Sequence, residues 1–510
     1  MKIGLLGNMN NNNFSLMRIL RNEGYDAHLF LFNNEFFFPE EDSHDLSKWK
    51  KFIHNLGVSN GKPDILFFNK EFLIDKLKTF DFLIGNGISP YILKKIHRKL
   101  NIFMPYGEGI EHINENTDNL KEIIFSRKML NFPKILWFKI CSFLQYSSLD
   151  NCNSITTFNL HDFSLNTFKK MGILPNIIPI FPLFEEKLYK TNELWMHKIG
   201  KLPKSSIKIF SHVAHFWKNL PYKNYMDGFG KRNNWLVEGV KQYYSLSYKK
   251  NIYVILTEYG PDVEDTKKLI SKYGLEKHFL WIPKLKRTEI YNLIDVCDIG
   301  SSEFANMFWG SCGWEFINRG KNFFHQLSIK DRYLEKKITL PNFININNPS
   351  EIANYLLKFD KSIEVKKGSQ NRKWYFQFKK KYISKLKNEI QYQNKNKKIR
   401  ISFIIGSLNL GGTERHLISL INNLDRNIFN IDLFLLNEEG NLFKELNPFV
   451  RVIKPKKPIF KKIDHFINFF KVLYYLNLFK PQIIHCFLPQ SYIFGGLIGW
   501  ILKKKKCINE

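Results

Sequence analysis

Cysteine is scarce in this chain: six among 510 residues, at Cys141, Cys152, Cys297, Cys312, Cys486 and Cys507. None stands at CxxC or zinc-finger spacing, so the sequence offers neither a disulfide framework nor a cysteine-built metal site, and it fits a reducing compartment. Long apolar runs are missing too. The stretches Ile135–Leu144 and Tyr492–Leu502 fall short of the roughly 20 residues that span a bilayer. The opening MKIGLLGN is a short apolar strand running into an Asn-rich loop, not the longer apolar core of a signal peptide. The expectation is a cytoplasmic protein, at most peripheral on the inner face of a membrane. Arginine is also rare, with 13 Arg against 64 Lys in a chain of net charge +30. Base-reading proteins lean on Arg, and no nucleic-acid motif is present, so nucleic acid is not an expected partner. The Lys, Phe, Asn, Ile and Tyr excess is what A/T-rich coding produces, although a Lys-rich surface also suits anionic lipid or phosphate-bearing acceptors. GxSxG, HExxH, Walker A and DxD motifs are all absent.

What is present is enough apolar material for several cores. Hydrophobic residues make up 44% and charged residues 24%, and at roughly 150 residues per domain the length suggests about three domains. Lys2–Leu6 reads as a buried strand, Gly7 and Asn8–Asn13 as a loop, Phe14–Glu23 as a helix, and Ala27–Phe32 as a second strand. Such a βαβ start calls for a parallel sheet with helices on both faces. Further strands are expected at Asp64–Phe68, Phe82–Gly85, Asn101–Met104 and Ser154–Phe158, closing a first domain near residue 190.

A second α/β unit, residues 191–362, starts at strand Ile207–Ser211. Helix Asn234–Tyr244, strand Ile252–Thr257, helix Val263–Tyr273, strand Phe279–Ile282, helix Arg287–Ile294 and a buried turn at Val296–Gly300 follow. Strands alternating with helices of this length argue for a second doubly wound sheet. Residues 363–398 read as a basic, partly amphipathic helix running into an Asn/Lys linker. The pattern then restarts in 399–510, with strand Ile399–Gly406, a turn at Gly411–Gly412, helix Thr413–Leu424, strand Gln482–Cys486 and a helix near Tyr492–Leu502.

The most specific segment is Leu408–Arg415, LNLGGTER. Glycines after a first strand let backbone approach a ligand, and the next helix N-terminus favours an anion. With Gly411, Gly412, Glu414 and Arg415 placed between strand and helix, this segment resembles the start of family 4-type glycosyltransferases of the GT-B fold, whose first domain opens on a GG-[AT]-E-R turn. The resemblance implies two Rossmann-like doubly wound domains in the first 395 residues and a truncated third one in 399–510. The Lys503–Lys506 tract before Cys507–Glu510 raises the expectation of a frame slip in a once longer tandem enzyme.

The same resemblance extends, more diverged, to residues 1–395. Glu258-Tyr259-Gly260-Pro261-Asp262 is similar to the family's G-x-G-P-D turn, with Tyr259 where a Gly often stands. Trp309–Glu315 followed by Phe316–Lys321 looks like the donor-binding stretch, where a Glu opens a helix ending in a Gly-Lys turn. A nucleotide sugar needs a carboxylate for its ribose hydroxyls, for which Glu315 is the candidate. Its diphosphate needs a helix N-terminus, Gly310, Ser311 and Gly313, and basic side chains, Lys231 with Arg232 beside it. His212 or His215 stands where the family has a basic residue after the first strand. Glu315, Lys231 and His215 are the candidate catalytic groups.

The family pairs two Glu residues eight apart, but eight before Glu315 stands Met307, so Glu303 would serve only if its loop is rearranged. In the first domain, Gly7, Asn8 and Asn10 occupy the place of the glycine loop, and Tyr106 and His161 follow later strands on the acceptor side. The implied reaction moves a sugar from a nucleoside diphosphate sugar to a glycan or lipid-linked acceptor with retention, using no metal and no cofactor beyond the co-substrate. Two alternatives stay open: a nucleotide-sugar epimerase, and a degenerate, non-catalytic sugar-binding or scaffold unit.

Overall fold

The computed structural model describes residues 1–104 except 36, 37 and 44; 136, 137, 140, 141, 143–145, 147–157, 176, 177, 183 and 184; 193–327 except 219–229, 248, 249 and 306–309; 340–453 except 396–398, 426, 427, 438, 448 and 449; and 470, 472, 473, 475, 476, 481–501 and 507–509. The chain divides into two compact units, residues 1–92 with 100–386, and 93–99 with 387–510.

The first unit holds two parallel sheets. One is built from β1 (Lys2–Leu6), β2 (Asp26–Leu31), β3 (Ile53–Asn55), β4 (Phe82–Gly85), β5 (Leu100–Phe103), β6 (Cys152–Thr157) and β7 (Asn176–Ile177), in the order β3-β2-β1-β4-β5-β6-β7. The other is built from β8 (Ile207–Ser211), β9 (Ile252–Glu258), β10 (Phe279–Pro283), β11 (Ile299–Ser301), β12 (Phe323–His325) and β13 (Ile344–Asn345), in the order β10-β9-β8-β11-β12-β13. The strands are short and mostly apolar because helices cover both faces of a doubly wound sheet. Ile3, Leu5, Ile209, Val254 and Phe324 are each fully buried. In both sheets the strand order reverses beside the first strand, at β1/β4 and β8/β11, and such switch points open a crevice at the carboxyl ends of the strands.

Two local expectations are corrected. Asp64–Phe68 is not a strand: a single 3₁₀ turn runs over Pro63–Leu66, because Pro63 fixes φ for a first helical position and removes a ladder donor. The last two residues of the buried turn expected at Val296–Gly300 instead belong to strand β11, which pairs with β8 and β12.

The basic segment forms one 35-residue helix, Lys361–Lys395. Its Trp374 and Phe378 stack on the fully buried Trp314 of helix Ser311–Asn318. From the next positions, the Tyr375 hydroxyl accepts the Leu183 N–H at 3.0 Å and Lys379 Nζ donates to the Leu183 carbonyl at 2.9 Å. This one helix therefore grips both the second sheet's covering helix and the stretch that precedes that sheet.

The second unit carries a third parallel sheet of β14 (Ile399–Ile405), β15 (Phe429–Leu435), β16 (Arg451–Ile453), β17 (Ile483–Cys486) and β18 (Cys507–Asn509), ordered β16-β15-β14-β17-β18. Phe403, Leu417, Ile421 and Leu433 form its core. Buried Asp432 on β15 accepts from Arg451 Nε on β16 at 2.6 Å. Cys507–Asn509 add a strand parallel to β17. No helix among the described residues is long and apolar enough to cross a membrane.

Candidate active site

The β8/β11 switch point gathers the residues that sequence singled out for the donor side. β8 delivers His212 at its carboxyl end, and β11 delivers Ser302 and Glu303. Gly310 then caps helix Ser311–Asn318. That helix starts four residues before Glu315, which is buried at 3% exposure and does not open the helix as expected. It does end in a Gly-Lys turn: Gly320 takes φ +68° and the Lys321 N–H returns to the Phe316 carbonyl at 2.8 Å.

Lys231, Glu303 and Gly310 converge. Lys231 Nζ lies 2.5 Å from Glu303 Oε2, and the Gly310 N–H donates to Glu303 Oε1 at 3.1 Å. Burial raises the Glu303 pKa, but Lys231, His325 and the Gly310 amide outweigh it and hold the carboxyl below its ordinary value. Glu303 is thus an internal anion seated on a helix N-terminus and a lysine, the pair of donors that binds phosphate elsewhere. Arg232, at φ +46°, donates from Nη1 to the Phe304 carbonyl at 2.9 Å and to Gln326 Oε1 at 2.5 Å. That one nitrogen therefore helps hold the segment after Glu303 in place. Ser311 and Gly313 lie in the first turn of the helix; Gly313 is buried and Ser311 partly so.

Glu315 heads a second group. Its Oε2 meets His212 Nε2 at 2.5 Å, and its Oε1 accepts from Arg287 Nε at 2.7 Å. Burial opposes the imidazolium, yet Cys312 and Glu315 beside it push His212 up to about 10. Burial likewise raises Glu315, but Arg287 and His212 bring it below the carboxylate norm. His212, Cys312 and Glu315 offer donor atoms within 4.8 Å of one another, a set of the type that holds a metal ion. The Arg287 guanidinium on Glu315 puts a fixed positive charge beside that position, so the charged imidazole balances the carboxylate there.

His215 belongs to a third group. Its Nδ1 lies 3.0 Å from Thr266 Oγ1, and Nε2 has no hydrogen-bond partner among the described residues. Burial drives its pKa down to about 4, against a raising influence from Asp262, so this imidazole is neutral. Of the two histidines considered for an anion-binding role, His212 is the charged one. The turn at Glu258–Asp262 holds the His215 loop in place. The His215 N–H donates to the Tyr259 carbonyl at 2.7 Å, the Asp262 N–H to the His215 carbonyl at 3.0 Å, and Asp262 Oδ2 accepts the N–H groups of Trp217 and Lys218 at 2.6 and 2.7 Å. Gly260 is required in that turn: it adopts φ +108°, and a Cβ there would lie 2.4 Å from the His215 nitrogen. His215, Lys231, Asn233, Ser301 and Ser302 line one small pocket.

At the β1/β4 switch point Gly7 takes φ +80°, where a Cβ would meet Asn86 Oδ1 at 1.9 Å. Asn8 is fully buried, and its side chain is engaged within the loop. Nδ2 donates to Asn11 Oδ1 at 2.7 Å, and Oδ1 accepts the Phe14 N–H at 3.0 Å. Asn10 and Asn11 adopt left-handed backbone, φ +52° and +57°, which Asn tolerates better than most residues. Asn10 is the more accessible of the named residues. Tyr106, His161 and Met307 lie outside the described residues. In the second unit Gly411 caps helix Gly412–Asn423, and a Cβ on Gly411 would meet Glu414 Oε2 at 2.1 Å, so Glu414 curls back over the turn. The Arg415 N–H donates to the Gly411 carbonyl at 3.1 Å.

No family model matches the sequence, and no curated protein matches it. Solved structures do. A structure of HepE from Anabaena in complex with UDP is 14% identical, with 76% of this chain and 100% of that chain covered at a TM-score of 0.50. The same protein with UDP and glucose gives 13%, 77%, 99% and 0.52. Sucrose-phosphate synthase from Thermosynechococcus elongatus gives 9%, 78%, 99% and 0.50.

The chain has the GT-B fold.

At these identities the likeness is one of fold. Sequence reasoning named Glu303, Lys231 and Glu315, and Asp262 as part of its turn, but missed Arg287, Asp42 and the partnering role of Cys312. Arg287 carried no signal, since it reads as an ordinary first-turn residue of an amphipathic helix. Asp262 was visible as the acidic N-cap of the Gly-Pro-Asp turn.

Proposed function

We propose that residues 1–395 transfer a glycosyl group from a nucleoside diphosphate sugar to a glycan or lipid-linked acceptor, with retention of configuration. The observation that carries this reading is the convergence of Lys231 Nζ and the Gly310 N–H on one anionic group at the strand switch point. The donor diphosphate would displace the Glu303 carboxylate from these two groups, which then stabilise the charge developing on the leaving phosphate. Glu315 would accept from the ribose hydroxyls. The acceptor hydroxyl would attack the anomeric carbon from the face the phosphate leaves, and its proton would pass to the departing phosphate oxygen. No metal and no further cofactor enters this scheme. The first sheet's loop around Gly7 and Asn10 would face the acceptor, and the Lys-rich surface would favour a cytoplasmic enzyme working beside an anionic membrane.

Incubation of the purified protein with a panel of UDP-, GDP- and ADP-sugars, scored for nucleotide release and for thermal shift, tests the reading. One donor class should raise the melting temperature and release its nucleotide when acceptor is supplied. Glu303 filling the anion seat and the burial of Glu315 favour a second reading, a sugar-nucleotide-binding unit without turnover. Thermal shift without release would select it, and no shift with any donor would sink both.

A further inference from the structure

Arg287 joins two carboxylates that belong to different sheets. Its Nη1 is ion-paired with Asp42 Oδ1, and its Nε donates to Glu315 Oε1 at 2.7 Å. Asp42 follows the first sheet's β2, whereas Glu315 sits on the second sheet's helix. Behind Asp42 lies the fully buried Arg18, ion-paired to Asp42 Oδ2 and covered by the rings of Phe14 and Phe184 at 3.9 and 4.5 Å. Ser15 Oγ adds a hydrogen bond to the same oxygen at 3.3 Å. Beyond Glu315 stands His212. Five side chains therefore alternate in sign, Arg18, Asp42, Arg287, Glu315 and His212, and all but Arg287 have side chains at most 6% exposed. Further titratable neighbours among the described residues are Tyr291, with Tyr375 beside it, and Cys312. Nearby, Lys284 and Glu41 form a second pair between the same two segments at 2.9 Å, but it is open to solvent and weak.

We propose that Arg287 and Asp42 are positioning residues for Glu315. In the empty protein they hold its carboxylate closed off, and donor binding exchanges the Arg287 contact for the ribose hydroxyls. The proposal rests on the glycosyl-transfer reading for the identity of the ligand, while the latch itself rests on the geometry. Both Glu315 oxygens are engaged and the residue is 3% exposed, so no hydroxyl reaches it until Arg287 withdraws. Withdrawal breaks the Asp42–Arg287 pair, so access to the donor carboxylate and the separation of the two sheets are one equilibrium. A ligand that binds only the open form has its affinity reduced by the fraction of protein that is open.

Asp42→Asn keeps the shape and one acceptor for Arg18 but removes the charge that holds Arg287. In the full chain it should raise the radius of gyration measured by small-angle X-ray scattering without ligand. It should also tighten UDP, GDP or ADP binding, measured by calorimetry, by on the order of tenfold. Where a donor turns over, donor KM should fall, because more of the protein is open to receive it. A merely structural role would lower the melting temperature and weaken binding instead. Arg287→Lys keeps the charge but loses the fork that reaches two carboxylates, and it should act in the same direction, which covers failure of the first variant to fold. Glu41→Gln, breaking the exposed pair, should change neither readout. Unchanged scattering together with unchanged or weaker binding in Asp42→Asn and Arg287→Lys overturns the latch. If the wild type binds none of the three nucleotides, the donor reading fails, and the scattering alone decides the latch.

Discussion

Glu303 sits on Lys231, with its Oε2 2.5 Å from the ammonium and its Oε1 on the Gly310 N–H. A carboxylate held between a lysine and a helix N-terminus occupies the place an anionic ligand would take. The protein supplies its own anion, and a ligand must compete with it. That competition makes the site testable from both sides.

Lys231→Ala should weaken binding of the active nucleoside diphosphate by about tenfold or more, the scale of a charge-assisted contact. Glu303→Gln should tighten it, since an anion no longer competes for Lys231. Isothermal titration with UDP, GDP and ADP reads both. Weaker binding in Glu303→Gln would mean that Glu303 contacts the donor itself.

Two buried histidines shape the pH dependence of stability in opposite ways. His215, driven down to about 4 by burial, refuses a proton that the unfolded chain accepts at its ordinary value of 6.5. Stability therefore falls on acidification from pH 6.5 toward 4. His212, raised to about 10, gives stability that is complete below pH 6.5 and is lost as pH rises from 6.5 through 10. Glu315, with its pKa lowered, adds a further loss as pH falls below its ordinary value of 4.5. Urea melts across pH should show a maximum near neutrality. His215→Gln should flatten the acid limb and His212→Gln the alkaline one, and a profile that neither variant changes would count against these assignments.

Gly260→Ala should cost about 2–4 kcal/mol, because a Cβ would press on the rigid His215 backbone at a φ that L-residues rarely adopt. The denaturation midpoint should drop accordingly. Since that turn carries the loop of His215, nucleotide binding should weaken along with stability. A variant as stable as the wild type would show that the turn can relax.

Trp314→Ala removes the fully buried ring on which Trp374 and Phe378 stack. The expected loss is about 3–5 kcal/mol, the range for truncating a buried aromatic. Limited proteolysis should cut within Lys361–Lys395 faster in the variant, as that helix loses the ring on which Trp374 and Phe378 stack. Equal cleavage rates would assign the anchoring to Tyr375 and Lys379 on Leu183 instead.

Much of the architecture was legible locally. Lys2–Leu6, Phe82–Gly85 and Ile207–Ser211 are strands with the bounds read from their apolar runs, and the restart at Ile399 is a strand where expected. These succeed because a strand covered on both faces writes its burial into consecutive residues. Asp64–Phe68 misled for the same reason, since its apolar run says nothing about the turn that Pro63 imposes. Ile299–Ser301 was too short for its pattern to separate a strand from a buried turn. The strands Phe429–Leu435 and Arg451–Ile453 went unread, the second again through brevity.

The sequence by itself determined the α/β layering, the three sheet starts and the candidacy of Glu303, Lys231 and Glu315. Periodicity and turn chemistry act over a few residues, so one chain's order suffices to read them. Only the tertiary structure decided who pairs with whom. His212 and Glu315 are 103 positions apart and Asp42 and Arg287 are 245 apart, yet each pair is in contact. Such pairings follow from which strand ends a switch point brings together, and a buried charge must find its partner wherever the fold delivers one.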